Sequence, residues 1–295
     1  MPIVSLINLK GGVAKTTTTV QLAECLASEF GKKVLVIDLD PQTNATISLI
    51  DEEKWEDLKD KNLTLYDLFQ DKLEQTNRFD MGKAIQKGVS NLGLPNLDLL
   101  ASSIQFIDIQ DRLNDISSKT HHVINPMEVL KTAVKPYLDQ YEYVLIDCPP
   151  NLGNITKNGM EISDLYLIPT IPDTLSTYGI PQIVGQIKTF AEARQLGIQC
   201  MGLVITKYDS RSRAQSRGMQ TLPARFAQIF DNLGLPRAPI FEAVMPQANA
   251  TSEAMDFGID QTTFKKKYGY GRQGDKPLHE YVTALTLEFM KYAKR

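Results

Sequence analysis

At its N-terminus the chain commits itself to a strand that passes through a glycine turn straight into a helix. The apolar run Ile3, Val4, Leu6 and Ile7 is followed by Lys10-Gly11-Gly12-Val13-Ala14-Lys15-Thr16-Thr17. After these, Val20, Ala23, Leu26, Ala27 and Phe30 recur at helical spacing. Such a turn is suited to phosphate. Gly11 and Gly12 let backbone N–H groups turn inward on oxyanions, and the helix beginning near Lys15 adds unpaired N–H groups and the positive end of its dipole. Lys15 can lie along the β- and γ-phosphates of a nucleotide, and the Thr16 hydroxyl is placed to ligate Mg²⁺, a hard cation that keeps oxygen ligands.

The spacing departs from the ordinary Walker A pattern, G-x-x-x-x-G-K-[ST]. Asn8 and Leu9 stand where its first glycine is sought, and Lys10 opens the motif instead. This K-G-G-x-x-K-[ST]-T form resembles the deviant Walker A box of the ParA/MinD family of ATPases. The resemblance implies that Lys10 reaches across a dimer to the partner's nucleotide, while Lys10 through Thr17 cradle the chain's own.

Two further apolar runs end in carboxylates. Val34-Leu35-Val36-Ile37 leads into Asp38-Leu39-Asp40-Pro41-Gln42, and Tyr143-Val144-Leu145-Ile146 into Asp147-Cys148-Pro149-Pro150. Strand ends of this kind are where an open α/β sheet binds ligands. An acidic pair beside a γ-phosphate can orient water and hold metal-bound water, and the buried Asp147 suits a Walker B strand that reaches Mg²⁺. The residues alone do not divide these tasks between Asp38 and Asp40. VLVIDLDPQTNAT and DCPPNLG resemble the two switch segments of ParA-like proteins. That implies Asp40 positions the hydrolytic water, Asp38 supports the metal's surroundings, and Thr16 and Asp147 serve the metal. It also places the nucleotide base near Thr206, Lys207 and Pro246.

Strand and helix alternate along the rest of the chain. Leu97 to Leu100, Leu165 to Pro169 and Met201 to Ile205 read as strands. Ile104, Ile107, Ile109 and Leu113, a segment started by Pro126, Ile180 to Leu196, and Leu278 to Arg295 read as helices. The expected fold is α/β: a doubly wound, mostly parallel sheet with helices on both faces, a deviant Walker P-loop NTPase formed as one domain over residues 1–295.

No apolar run approaches the roughly 18 residues of a membrane span, and Met1-Pro2-Ile3 lacks a charged leader, so a cytoplasmic protein is expected. Cys25, Cys148 and Cys200 fall at no metal or redox spacing, which suggests buried thiols. The adjacent His121 and His122 cannot share a helix face, and metal binding there is not expected. The net charge of −3 hides an asymmetry: from Gln261 to Arg295 eight basic residues face three acidic ones, a surplus of five that leaves −8 for the remainder. Arg211, Arg213 and Arg217 in a Ser/Gln-rich loop, with Lys265, Lys266, Lys267 and Arg272, could neutralise DNA phosphates without reading bases. Scattered solvated cations are the alternative.

The resemblance to the ParA branch implies an ATPase with ATP and Mg²⁺ as cofactors. It implies an ATP-bound homodimer on nonspecific nucleoid DNA, and an adaptor or ParB-like protein that stimulates hydrolysis. The cargo would be a plasmid, a chromosome or a protein body such as a carboxysome. A MinD-like membrane-associated ATPase in division-site placement is the second reading, because the last helix carries an apolar stripe and basic residues; packing on the sheet is favoured for it. A metabolic or metal-cluster carrier on the same fold would usually need a cysteine pair, and no C-x-x-C occurs.

Overall fold

In the computed structural model, residues 1–109, 112–113, 125–259, 261–269 and 276–294 are described. Eight strands form one sheet: β1 Ile3–Leu6, β2 Val34–Asp38, β3 Ile85–Gln86, β4 Leu97–Leu100, β5 Tyr143–Asp147, β6 Leu165–Thr170, β7 Gln199–Tyr208 and β8 Ile240–Pro246. Their order is β3-β4-β2-β5-β1-β6-β7-β8. Every neighbouring pair is parallel except the short edge pair of β3 with β4.

The central strands β1, β2 and β5 are buried at every residue, as a parallel sheet covered on both faces requires. Alternate side chains feed two separate cores. Leu35, Ile37 and Ile146 pack with helices Leu65–Glu74, Val129–Leu138, Asn154–Ile162, Ile180–Arg194 and Arg213–Leu233 on one face. Val34, Val36 and Leu145 pack with helices Lys15–Ser28 and Leu278–Ala293 on the other. The expected doubly wound sheet is therefore observed.

Helix Leu278–Ala293 settles its stripe against the protein. Leu278, Val282, Leu285 and Phe289 are buried, the Phe289 ring lies 5.9 Å from that of Tyr143, and the helix covers β8 and helix Lys15–Ser28. No helix among the described residues is long and apolar enough to cross a membrane.

Several sequence expectations shift. Arg213 and Arg217 lie on a helix, Arg213–Leu233, rather than in a loop; Ser212 caps its first turn by accepting from the Gln215 N–H, and Leu222, Phe226 and Phe230 bury its inner stripe. Pro126 precedes its helix, which begins at Val129, because Asn125 Oδ1 accepts from the Met127 N–H and holds a turn there. Phe106, Ile109 and Leu113 are buried, whereas Ile104 and Ile107 are exposed. His121, His122 and Arg272 lie outside the described residues.

Candidate functional site

The strand order reverses beside β1, whose neighbours β5 and β6 lead away in opposite directions. A crevice opens at the carboxyl ends of strands at such a point. Here it is a cavity of about 460 Å³ lined by Gly11, Gly12, Ala14, Lys15, Thr16 and Thr17, by Asp40 and Pro150, and by Thr206, Lys207 and Pro246.

The loop after β1 is built on two left-handed residues, Gly12 at φ 76° and Ala14 at φ 63°. Glycine adopts this conformation freely, whereas Ala14 pays about 1–2 kcal/mol of steric cost. Strain of this size persists where surroundings over-determine it. The Ala14 carbonyl accepts from both the Thr18 N–H and its hydroxyl, and the Val13 carbonyl accepts from Thr206 Oγ1 at 2.9 Å. The second bond ties the loop to β7. Val13 is itself fully buried and acts through that carbonyl.

Lys15 is buried, and its ammonium donates to the Lys10 carbonyl at 3.3 Å. Burial pulls its pKa down, opposed by the nearby Asp147 and Asp40. Lys10 does the opposite. Its side chain is absent from the cavity lining and donates instead to Ser176 Oγ at 2.8 Å, with Asp173 Oδ1 at 3.8 Å.

The carboxylates separate into distinct positions. Asp147 at the end of β5 is fully buried; its Oδ2 accepts from Thr16 Oγ1 at 2.6 Å and its Oδ1 from Thr19 Oγ1 at 3.3 Å. Burial raises its pKa to about 7, against the opposing bond from Thr16. Asp40 lines the cavity, with one carboxylate oxygen accepting from the Gln42 N–H at 2.9 Å.

Asp38, expected to support the metal's surroundings, does not itself line the cavity. Pairing of β2 with β5 sets it beside Asp147, and it accepts from the Thr46 hydroxyl at 2.7 Å, the Thr46 N–H at 2.9 Å and the Asp40 N–H at 3.1 Å. Two residues of separation do not keep Asp38 and Asp40 together because the strand ends at Asp38. The chain then turns, reaching left-handed Thr43 at φ 58°. Asp38 braces the loop that carries Asp40, and desolvation with the adjacent Asp147 pushes its pKa well up.

Asp40 and Asp147 near Lys15, with Asp38 beside Asp147, leave this end of the sheet short of positive charge, and the donors available are oxygens: Thr16 Oγ1, Asp40 and Asp147. That set fits Mg²⁺, which binds through one or two protein oxygens, waters and substrate phosphates. Among the described residues no group of three or more His, Cys, Asp or Glu is arranged to hold a metal alone.

The cavity is also lined by Met245, Gln247, Ala248, Thr251, Ser252 and Met255. The segment expected to lie near the base thus borders the cavity, though no spacing singled out these side chains. Gln21, Gln42 and Asn44 were also missed; no spacing marks them, since they arrive through the fold.

The basic residues divide. Arg211 is exposed and bidentate with Asp209, both contacts at 2.9 Å. Arg213 and Arg217 belong to one helical layer, and Lys265 and Lys266, on helix Phe264–Lys267, to the other. Lys267 must be withdrawn from the phosphate-facing set. Its ammonium is buried, donating to Glu24 Oε1 at 2.6 Å and to Asn91 Oδ1 at 2.8 Å. Consecutive residues on a helix face different ways, so a run of three lysines cannot all meet solvent where Phe264 and Tyr268 anchor the segment.

Residues 1–199 match the AAA domain family. The chain is similar to the sporulation initiation inhibitor protein Soj of Bacillus subtilis, 28% identical over 87% of this chain and 88% of that one. In fold it is similar to a McdA variant of Cyanothece in complex with ATP, with a TM-score of 0.70 and 19% identity, covering 98% of this chain and 96% of that one. It is likewise similar to a putative plasmid partition protein of Borrelia burgdorferi bound to AMPPNP, with a TM-score of 0.66 and 21% identity over 98% of each chain. With the lysine-opened phosphate loop and the two acid-tipped strands, these matches establish that the chain belongs to the AAA domain family as a ParA-type ATPase.

Proposed function

We propose that the protein is an ATP-dependent partition or positioning ATPase that closes as a dimer around two ATP molecules. The observation that carries this is the divergence of the two loop lysines: Lys15 lies inside its own cavity, while Lys10 points out of it. A lysine so directed cannot serve the phosphates bound to its own loop, and it is available to those of a second copy.

Within one copy, the backbone N–H groups around Gly11, Gly12 and Ala14 would bind the phosphates and Lys15 would neutralise them. Thr16 and Asp147 would hold Mg²⁺, which when bound neutralises charge on the transferring phosphoryl group. Asp40, at the cavity wall, orients the attacking water, and Asp38 fixes Asp40 through its N–H. Thr206, Lys207 and Pro246 close the base side. Hydrolysis removes the γ-phosphate that links the copies, so ATP acts as a two-state switch. The names of the relatives support transport of a plasmid or chromosome, and positioning of a protein body by the same switch is what the resemblance to the ParA branch implies.

DNA is the track, bound without sequence preference by Arg211, by Arg213 and Arg217 on one helical layer and by Lys265 and Lys266 on the other, with Arg272 in the same set by sequence, and an adaptor stimulates turnover. One ATPase domain spans the chain, a reading supported by the single sheet that takes in both its first and last strands. The test is light scattering of the full chain with and without ATP and Mg²⁺. The wild type should double in mass with ATP, and Lys10→Ala should bind ATP but remain monomeric; a wild type that stays monomeric with ATP bound overturns the proposal.

A further inference from the structure

The direction of Lys10 is held by a constructed support rather than by chance exposure. Its ammonium donates to Ser176 Oγ at 2.8 Å, and that hydroxyl donates in turn to Asp173 Oδ2 at 2.9 Å. Asp173 Oδ1 accepts from the Ser176 N–H at 2.7 Å and stands 3.8 Å from the Lys10 ammonium. Ser176 is 1% exposed, so the hydroxyl has one fixed place. The other end of Lys10 is fixed too, because its N–H donates to Asn8 Oδ1 at 2.9 Å and Asn8 Nδ2 donates to the Pro169 carbonyl at 2.8 Å.

The loop bearing Asp173 is clamped from behind. A Cβ built on Gly218 would lie 1.7 Å from the Pro172 carbonyl oxygen, so helix Arg213–Leu233 meets this loop backbone to backbone. Beyond Ser176, Leu175 and Tyr178 are 79% and 85% exposed on the same short helix, Thr174–Tyr178. Lys10 thus emerges beside an uncovered apolar patch, on a face that a second copy would cover.

We propose that Asp173 is a positioning residue for Lys10: through Ser176 it holds the ammonium outside its own cavity, oriented toward the phosphates of a second copy. An ammonium has three donors, and Ser176 takes one, leaving the others for phosphate oxygens. Preorganising a long side chain removes part of the ordering cost of association, worth about three- to tenfold in affinity. The inference rests on the ATP-dependent dimer proposed above for its consequence, though not for the contact itself.

The experiment has two arms, both on the full chain. In the first, nucleotide-free protein is acylated with an amine-selective reagent and read by mass spectrometry, with the exposed Lys83 as reference. Asp173→Asn and, separately, Ser176→Ala should label Lys10 several-fold faster than wild type, and Asp173→Glu should return it toward the wild-type rate. Unchanged Lys10 labelling in both disrupting variants overturns the proposal. In the second arm, sedimentation with ATP and Mg²⁺ should show dimer association weakened about three- to tenfold in Asp173→Asn and in Ser176→Ala, and restored toward wild type in Asp173→Glu. Weakening in Asp173→Asn with Ser176→Ala at the wild-type value shows that Asp173 acts only as the cap of helix Thr174–Tyr178, through the Ser176 N–H that alanine keeps, and overturns it. Faster Lys10 labelling in the two disrupting variants, with a wild type that never associates, would sink the dimer while leaving the positioning role standing.

Discussion

Replacing Lys267 by methionine removes one partner of a pair that no water reaches. Both side chains are fully buried, with Nζ 2.6 Å from Glu24 Oε1. Glu24 also accepts from Ser90 Oγ at 2.6 Å and from Tyr268 Oη at 2.7 Å, so three elements converge on one carboxylate in the middle of the phosphate-loop helix. Without Lys267 the carboxylate keeps two neutral donors and loses its only buried cation among the described residues. Breaking such a pair from one side costs about 3–5 kcal/mol. With a denaturant slope of about 3 kcal/mol per molar, the urea midpoint should fall by about 1 M or more. Lys265→Ala and Lys266→Ala, at solvent, should stay within about 0.5 kcal/mol of wild type. Replacing both partners, Glu24→Leu with Lys267→Met, should recover much of the loss, because the uncompensated charge goes with it. A Lys267→Met midpoint equal to wild type would refute the reasoning and return Lys267 to the solvent-facing set.

The cavity and the basic residues set the other expected outcomes. Lys15→Ala should abolish ATP binding in calorimetry, whereas Asp40→Ala should bind ATP and lose about a hundredfold or more in turnover; unchanged turnover would shift the water-orienting role to Asp38, whose own loss should instead destabilise the fold by about 1–3 kcal/mol through the donors left at Thr46 and Asp40. Asp147 holds its proton up to about pH 7 in the folded chain, against an ordinary value of 3.8. It therefore costs no stability below about pH 4 and costs progressively more as the pH rises from there to about 7. Nucleotide-free Asp147→Asn should gain urea resistance relative to wild type across that window, and a constant difference between the two would contradict the buried charge. Removing Arg213, Arg217, Lys265 and Lys266 together should weaken DNA cosedimentation and flatten its salt dependence by about one phosphate per cation lost; retained binding would locate the polyanion face elsewhere.

Much of the site was readable because its chemistry is local. Lys10 to Thr17 lie in one turn, and backbone N–H groups, a dipole and a lysine need only adjacent residues to act together. Asp147 closes an apolar strand, and Asp40 follows two residues after the strand that ends at Asp38, so both could be picked out from the apolar runs before them. Asp38 and Asp40 take different surroundings because alternation along a strand stops where the strand stops, and β2 ends at Asp38. The lysine run misled because a composition count carries no direction: Lys267 turns inward to Glu24, 243 residues earlier.

The sequence alone determined that a nucleotide phosphate is held here and that alternating strands and helices build a mostly parallel sheet, since both follow from short-range geometry and from the period of apolar residues. The tertiary structure alone decided which carboxylate faces the cavity, which lysine is buried, and that Lys10 leans on Asp173 and Ser176 rather than on its own phosphate loop. The lysine outcomes depend on contacts between residues more than a hundred positions apart, where burial and charge pairing are set by how the layers pack, and the carboxylates were sorted by where β2 ends and the chain turns.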